Sequence, residues 1–241
     1  MTPIIDINAL KHRYGDAEVL HGIDLTVDEG EIFGFLGHNG AGKTTTINVL
    51  TTLITPTSGT ASVCGFNVVD ERIEVQRSLG YVPENVRLYD NLTAAENLRF
   101  FAQLSGVKDI PAAIDESLGF LEARDLAGRR VGTFSKGMRQ RIGIAQAILH
   151  KPRVLFLDEP TSGLDPMGVR QLRDTILRLN RDLGMTIFMN THLLSEVSRV
   201  CTTIGVLADG SLIYKDSLER TLERFPDEAS LEDIYARLDD R

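Results

Sequence analysis

The segment Gly37-His38-Asn39-Gly40-Ala41-Gly42-Lys43-Thr44 limits what this chain can fold into more than any other part of it. It fits the spacing G-x-x-x-x-G-K-[ST], follows the apolar run Ile32-Phe33-Gly34-Phe35-Leu36 and precedes residues that read as a helix start. A buried strand must therefore deliver a glycine-rich loop to a helix N-terminus. The glycines let backbone N–H groups curl around a phosphate, and the helix end adds its dipole. Lys43 brings a point charge, and the Thr44 hydroxyl can ligate Mg²⁺. Asn39, Gly40, Ala41, Gly42, Lys43, Thr44 and Thr45 are the candidate phosphate-binding residues. The chain holds 26 Lys and Arg against 34 Asp and Glu, a formal net charge of −8. A groove for nucleic acid built on general positive charge is thereby excluded, so a polyanion has to be met locally.

The pattern around this loop is that of an α/β protein. Ile5, Ile7 and Ala9 alternate, as do Ile23, Leu25 and Val27, which predicts two early strands with half-buried faces. From about Asn91 to Leu149 the period becomes helical: Thr93 and Glu96 have capping-box spacing, and Ile114, Leu118 and Leu121 share a face. Val154–Leu157 and Met185–Asn190 are unbroken apolar runs of the kind buried on both sides of a parallel sheet. Between them Asp165 as N-cap and Pro166 as first helical residue open a helix that ends near Gly184. Asp209-Gly210 reads as a hairpin turn, and the acidic end from Asp216 as one or two amphipathic helices. The predicted fold is a P-loop nucleotide-hydrolase (RecA-like) core with an N-terminal antiparallel β layer and an inserted α-helical subdomain. Residues 1–83 and 151–215 form the core, 84–150 the helical subdomain and 216–241 the terminal helices.

Leu155-Phe156-Leu157 ends in two adjacent acids whose side chains should point to opposite sides of the strand, so they should have different jobs. Asp158 can reach a Mg²⁺ shell, and Glu159 can take a proton from an attacking water. Cys64 and Cys201 have no metal-like spacing and read as core or surface thiols. His12, His21 and His150 carry no motif and are expected at the surface, as is His38 in the loop. No apolar run is long enough to cross a bilayer.

Three further segments carry a family resemblance. Thr133-Phe134-Ser135-Lys136-Gly137-Met138-Arg139-Gln140-Arg141, Asp158-Glu159-Pro160-Thr161-Ser162-Gly163-Leu164-Asp165 and Thr191-His192, in this order behind the glycine loop, strongly resemble ABC transporter ATP-binding subunits. The resemblance implies ATP and Mg²⁺ as ligands, Lys43, Glu159 and His192 as the catalytic set, and Tyr14 as the aromatic beneath adenine. Ser135, Gly137 and Asp165 would contact nucleotide held by the opposite subunit of an ATP-dependent head-to-tail dimer, made of two identical or two paralogous chains. Phe134, Lys136 and Met138 depart from the commonest Leu-Ser-Gly-Gly-Gln signature. Glu84, within Gly80-Tyr81-Val82-Pro83-Glu84, stands where the family usually has glutamine, with Asn85 beside it. A carboxylate there can only accept hydrogen bonds and suits a metal shell, so Thr44, Asp158 and Glu84 form the implied Mg²⁺ set.

Glu84 and the Phe-Ser-Lys-Gly-Met form resemble the efflux-type, daunorubicin-resistance-like branch, which implies export in preference to import. The expected partner is a separate transmembrane permease docked between Glu84 and Leu104, with the chain cytoplasmic on the inner face of the membrane. An importer subunit or a regulatory ATP-binding module is the alternative. A chromosome-maintenance ATPase would need a long coiled coil between Lys43 and Ser135, and the intervening chain is too short for one.

Overall fold

The computed structural model describes residues 3–226, 228 and 230–239. β1 (Ile5–Tyr14) and β2 (Ala17–Val27) form an antiparallel hairpin, after which β3 (Ile32–Leu36) enters the core and hands the glycine loop to α1 (Lys43–Leu50). β4 (Ser58–Val63) and β5 (Phe66–Asn67) complete a four-stranded antiparallel sheet in the order β2-β1-β4-β5. α2 (Arg72–Ser78) leads into β6 (Leu79–Val82), and the chain then leaves the sheets for α3 (Ala94–Leu104), α4 (Ile110–Phe120) and α5 (Lys136–Ile148). It returns through β7 (Val154–Asp158), α6 (Pro166–Leu183), β8 (Thr186–Asn190), α7 (Leu194–Val200), β9 (Thr203–Ala208) and β10 (Ser211–Ser217), and ends in α8 (Leu218–Arg224) and α9 (Leu231–Asp239). The second sheet has the order β10-β9-β3-β8-β7-β6, parallel throughout except for the β9–β10 hairpin.

Every residue of β3, β7 and β8 is buried, which is why these strands read as unbroken apolar runs. The pleat sorts their side chains between two cores. Phe33, Phe35, Phe156 and Phe188 face the antiparallel layer with Ile5, Ile7 and α1, and the Phe33 and Phe188 rings lie 5.1 Å apart. Leu36, Leu155, Leu157, Ile187 and Met189 face the helices. The capping box at Thr93 and Glu96 is complete, and Asp165 Oδ1 accepts the Gly168 N–H at 2.7 Å to cap α6. Gly184, at φ 64, closes that helix in the left-handed conformation.

Two readings of the sequence are corrected. Alternation in β1 does not run through Ala9: the ladder slips between Ile7 and Leu10, Ala9 takes φ 46 and turns outward, and Leu10 and His12 face the core instead. A bulge adds one residue and thereby flips the face of everything after it. His12 is accordingly buried rather than at the surface. His150 is half-buried, because its Nε2 donates to the Leu79 carbonyl at 2.8 Å and so ties the end of α5 to the start of β6. His21 and His38 are exposed as expected.

Burial holds the His150 imidazole below its ordinary pKa, only partly offset by the Leu79 carbonyl. The folded state therefore binds fewer protons than the unfolded state below about pH 6.5, and stability falls as pH drops through that range until the depressed folded value is reached. His150→Gln keeps a donor for Leu79 and does not titrate. Urea midpoints measured from pH 7.5 to 5 should decline less steeply for His150→Gln than for the wild type, and parallel declines would contradict the assignment.

Candidate active site

The buried end of β3 places the start and the end of the glycine loop where neighbours leave no room for a β-carbon at Gly37 or Gly42. Gly42 caps α1 at φ 107, and a β-carbon there would come within 2.6 Å of Leu20 Cδ2 and 3.2 Å of the Val19 carbonyl. Gly40, at φ 89, makes the other left-handed turn. Lys43 is buried, and its Nζ donates to the carbonyls of Gly37 at 2.6 Å and His38 at 3.0 Å. Burial lowers its pKa, opposed by the charges of Glu159 and Asp158. The ammonium thus rests on the loop's own carbonyls, which a phosphate oxygen can replace. His38 Nε2 lies 3.5 Å from Asp209 Oδ1, so the loop also touches the β9–β10 turn.

Parallel pairing sets the end of β7 between β6 and β8. Asp158 is buried there, its Oδ1 receiving Asn190 Nδ2 at 2.6 Å and Thr44 Oγ1 at 3.3 Å. Its carboxyl pKa is raised, first by burial and also by the charges of Glu159 and Glu84, while Thr44 and Lys43 pull it down. Tyr81 on β6 lies within electrostatic reach of the same carboxylate, and burial together with that charge pushes its phenol up to about 12. Glu159 follows at φ 46, with its N–H donating to the Asn190 carbonyl at 3.1 Å. Its Oε2 lies 2.8 Å from His192 Nδ1. A carboxylate can only accept, so Nδ1 carries the hydrogen and the opposite ring nitrogen is left for a third party. Glu84 is exposed, and its Oε1 accepts from Ser162 Oγ at 2.9 Å, so it reaches the loop behind the two acids.

Thr44, Asp158 and Glu84 supply oxygen donors only, around a buried carboxylate whose ionised form is disfavoured by its acidic neighbours; this donor set fits a hard divalent cation. Among the described residues no group of three or more His, Cys, Asp or Glu forms a metal cage.

Lys43, Thr44, Asp158, Glu159 and His192 therefore come together, with Glu84 attached through Ser162. Ser135 and Gly137 begin α5 beside the turn that precedes Asp165, apart from that group. Ser135 caps α5 by accepting the Met138 N–H at 3.3 Å, Asp165 caps α6, and a β-carbon on Gly163 would come within 2.9 Å of Lys136 Nζ. Tyr14 is half-exposed at the end of β1, its ring centroid 4.6 Å from that of His12 in an edge-on arrangement. Tyr81, Ser162 and Asn190 join this site although the sequence assigns them no role of their own. Asn190 had a visible signal, a polar side chain ending the apolar run that precedes Thr191-His192.

The fold and this site define a P-loop nucleotide hydrolase. The family model described as ABC transporter matches residues 20–162. The chain is 42% identical over 224 residues to the bacitracin transport ATP-binding protein BcrA of Bacillus licheniformis, covering 93% of this chain and 73% of that protein. It is 36% identical over 206 residues to the linearmycin resistance ATP-binding protein LnrL of Bacillus subtilis strain 168, covering 85% and 66%. A solved structure of the ATP-binding subunit of an ABC transporter matches at TM-score 0.86 and 30% identity, over 98% of this chain and 99% of that one. The chain belongs to the ABC transporter family as an ATP-binding subunit, and it is an ATPase. Among the described residues no helix is long and apolar enough to cross a membrane.

Gly42→Ala would force an L-residue into a left-handed turn against Leu20 and Val19, at a cost of roughly 1–3 kcal/mol. Equilibrium binding of a fluorescent ATP analogue should weaken about tenfold or more in this variant. Wild-type affinity would mean that the loop can move away from β2.

Proposed function

We propose that this chain hydrolyses ATP in a head-to-tail dimer to drive export through a separate transmembrane permease, from the cytoplasmic face of the membrane. The observation that carries the catalytic part is the Glu159–His192 contact at 2.8 Å beside Asp158. ATP lies with its phosphates in the Asn39–Thr45 loop and its adenine on Tyr14. Lys43 exchanges the Gly37 and His38 carbonyls for phosphate oxygens. Thr44, Asp158 and Glu84 would hold Mg²⁺, which when bound neutralises charge on the β- and γ-phosphates. Glu159 takes the proton of the water that attacks the γ-phosphorus in line, and ADP leaves with the bridging oxygen. His192, oriented by its Nδ1–H to Glu159, offers its other nitrogen to the γ-phosphate.

Ser135 and Gly137 stand at the exposed N-terminus of α5, where a dipole and free N–H groups suit an anion. A β-carbon on Gly137 would come no closer than 3.8 Å to a neighbour, Leu164 Cδ2, so this helix start is open to a group from outside the chain, which supports contact with the partner subunit's nucleotide. Bacitracin transport and linearmycin resistance, named for two relatives, support export and the efflux-type branch, with an antibiotic-like cargo chosen by the permease.

Two measurements test this reading. Glu159→Gln keeps the phosphate cradle and removes the proton acceptor, so it should bind ATP normally, lose about 10²–10⁴ in turnover and accumulate an ATP-bound dimer. Wild-type turnover would remove Glu159 from the role. Mixing Lys43→Ala with Ser135→Arg chains should give mixed dimers with one doubly damaged site and one intact site, restoring some ATP-dependent dimerisation. Sites complete within one chain would show no such restoration.

A further inference from the structure

Asn190 ends β8, a strand whose other members, Thr186, Ile187, Phe188 and Met189, are buried with it. Parallel pairing puts it directly beside Asp158. Its side chain and backbone each hold one of the two acids: Nδ2 donates to Asp158 Oδ1 at 2.6 Å, and its carbonyl accepts the Glu159 N–H at 3.1 Å. Glu159 needs that second bond, because its φ of 46 is an unfavourable conformation for a residue with a β-carbon. Two residues further on, His192 meets Glu159 Oε2 at 2.8 Å.

The amide is costly in this place. Asn190 is fully buried and its Oδ1 has no hydrogen-bond partner. A position serving only packing would be more stable with an apolar residue, as an unpaired buried acceptor opposes folding. The carboxylate beside it explains which way the amide faces, since an ionised acid needs a donor and a second acceptor would repel it.

We propose that Asn190 is a positioning residue for ATP hydrolysis, fixing the Asp158 carboxylate through its side chain and the Glu159 backbone through its carbonyl, so that metal-shell acid and base are set from one residue at the root of the His192 loop. This rests on the roles given above to Asp158 and Glu159. The side-chain arm can be cut while the backbone arm persists, because every residue keeps a carbonyl. Loss of the donor should act on metal binding at Asp158 and leave metal-free ATP binding alone.

Four chains test it, all in the Glu159→Gln background, which isolates binding from turnover: Asn190 itself, Asn190→Asp, Asn190→Ser and Asn190→Ala. Asn190→Asp keeps the shape and loses the donor; Asn190→Ser is smaller and keeps one; Asn190→Ala matches serine in size without it. Binding of Mn²⁺–ATP, followed by electron paramagnetic resonance, should weaken about 10–100-fold in Asn190→Asp and Asn190→Ala and by a smaller factor in Asn190→Ser. ATP binding in EDTA should be unchanged in all four. A purely structural role predicts that loss follows lost volume, with serine and alanine alike, and equal metal affinities of that pair overturn the proposal, since Asn190→Asp also buries a second carboxyl beside Asp158. Should Asn190→Asp fail to fold, the serine–alanine pair still decides, equal metal affinities counting against it. Turnover of Glu159→Gln in the otherwise wild-type chain is a separate readout, so failure of the base assignment is distinguishable from failure of this one.

Discussion

A carboxylate is held at the buried end of a parallel strand, and the rest of the site is arranged around it. Asp158 is paired from the neighbouring strand and from a helix: Asn190 reaches it from β8 and Thr44 from α1. Burying an ionised acid is expensive unless hydrogen bonds replace the lost water, and these neutral donors do so incompletely, since its pKa stays raised by burial. Lys43 lies within electrostatic reach and draws the pKa back down, while its ammonium rests on loop carbonyls.

Rigidity around Asp158 comes from the two-sided core. The four phenylalanines on one face of β3, β7 and β8 pack against the antiparallel layer, while Leu155, Leu157, Ile187 and Met189 pack under the helices. A strand clamped on both faces cannot slide by one residue without exchanging its two sets of side chains, so the register Asp158–Asn190 is fixed by packing far from the chemistry. The left-handed Glu159 immediately after it turns the chain away from the sheet and presents its side chain to His192. The strained residue is therefore the hinge between a rigid strand and a catalytic loop.

Much of this was legible in the amino-acid order, and its limits have physical causes. The strand, loop and helix around Gly37–Thr44, the capping roles of Thr93 and Asp165, and the paired acids all depend on neighbours within a few residues, where spacing carries the information. Ala9 and His12 were misread because a bulge is decided by cross-strand pairing: Gly59, at φ 81 on β4, opens space against the Ala9 carbonyl that any β-carbon would fill. His150 was misread because its partner, Leu79, lies 71 positions away. Tyr81 is ordinary in its own strand and acquires meaning only near Asp158, whereas Asn190 stands out as the polar end of an apolar run.

Glu84 shows how far one substitution can be followed from residue to geometry. Glutamine can donate as well as accept, whereas a carboxylate at this loop must find a donor, and Ser162 provides it at 2.9 Å. Ser162 belongs to the turn that leads from the two acids to Asp165 and the start of α6, and its N–H returns to the Glu159 carbonyl at 3.0 Å. Glu84 stands after β6 on the path to α3, so this hydrogen bond joins the entry of the helical segment to the turn beside the base. Any movement of the helices relative to the sheet has to break it, keep it by dragging the turn along, or replace Ser162 with another donor. Ser162 occupies Oε1 alone, so the second oxygen of the same carboxylate stays open to another partner while the bond to the turn is kept.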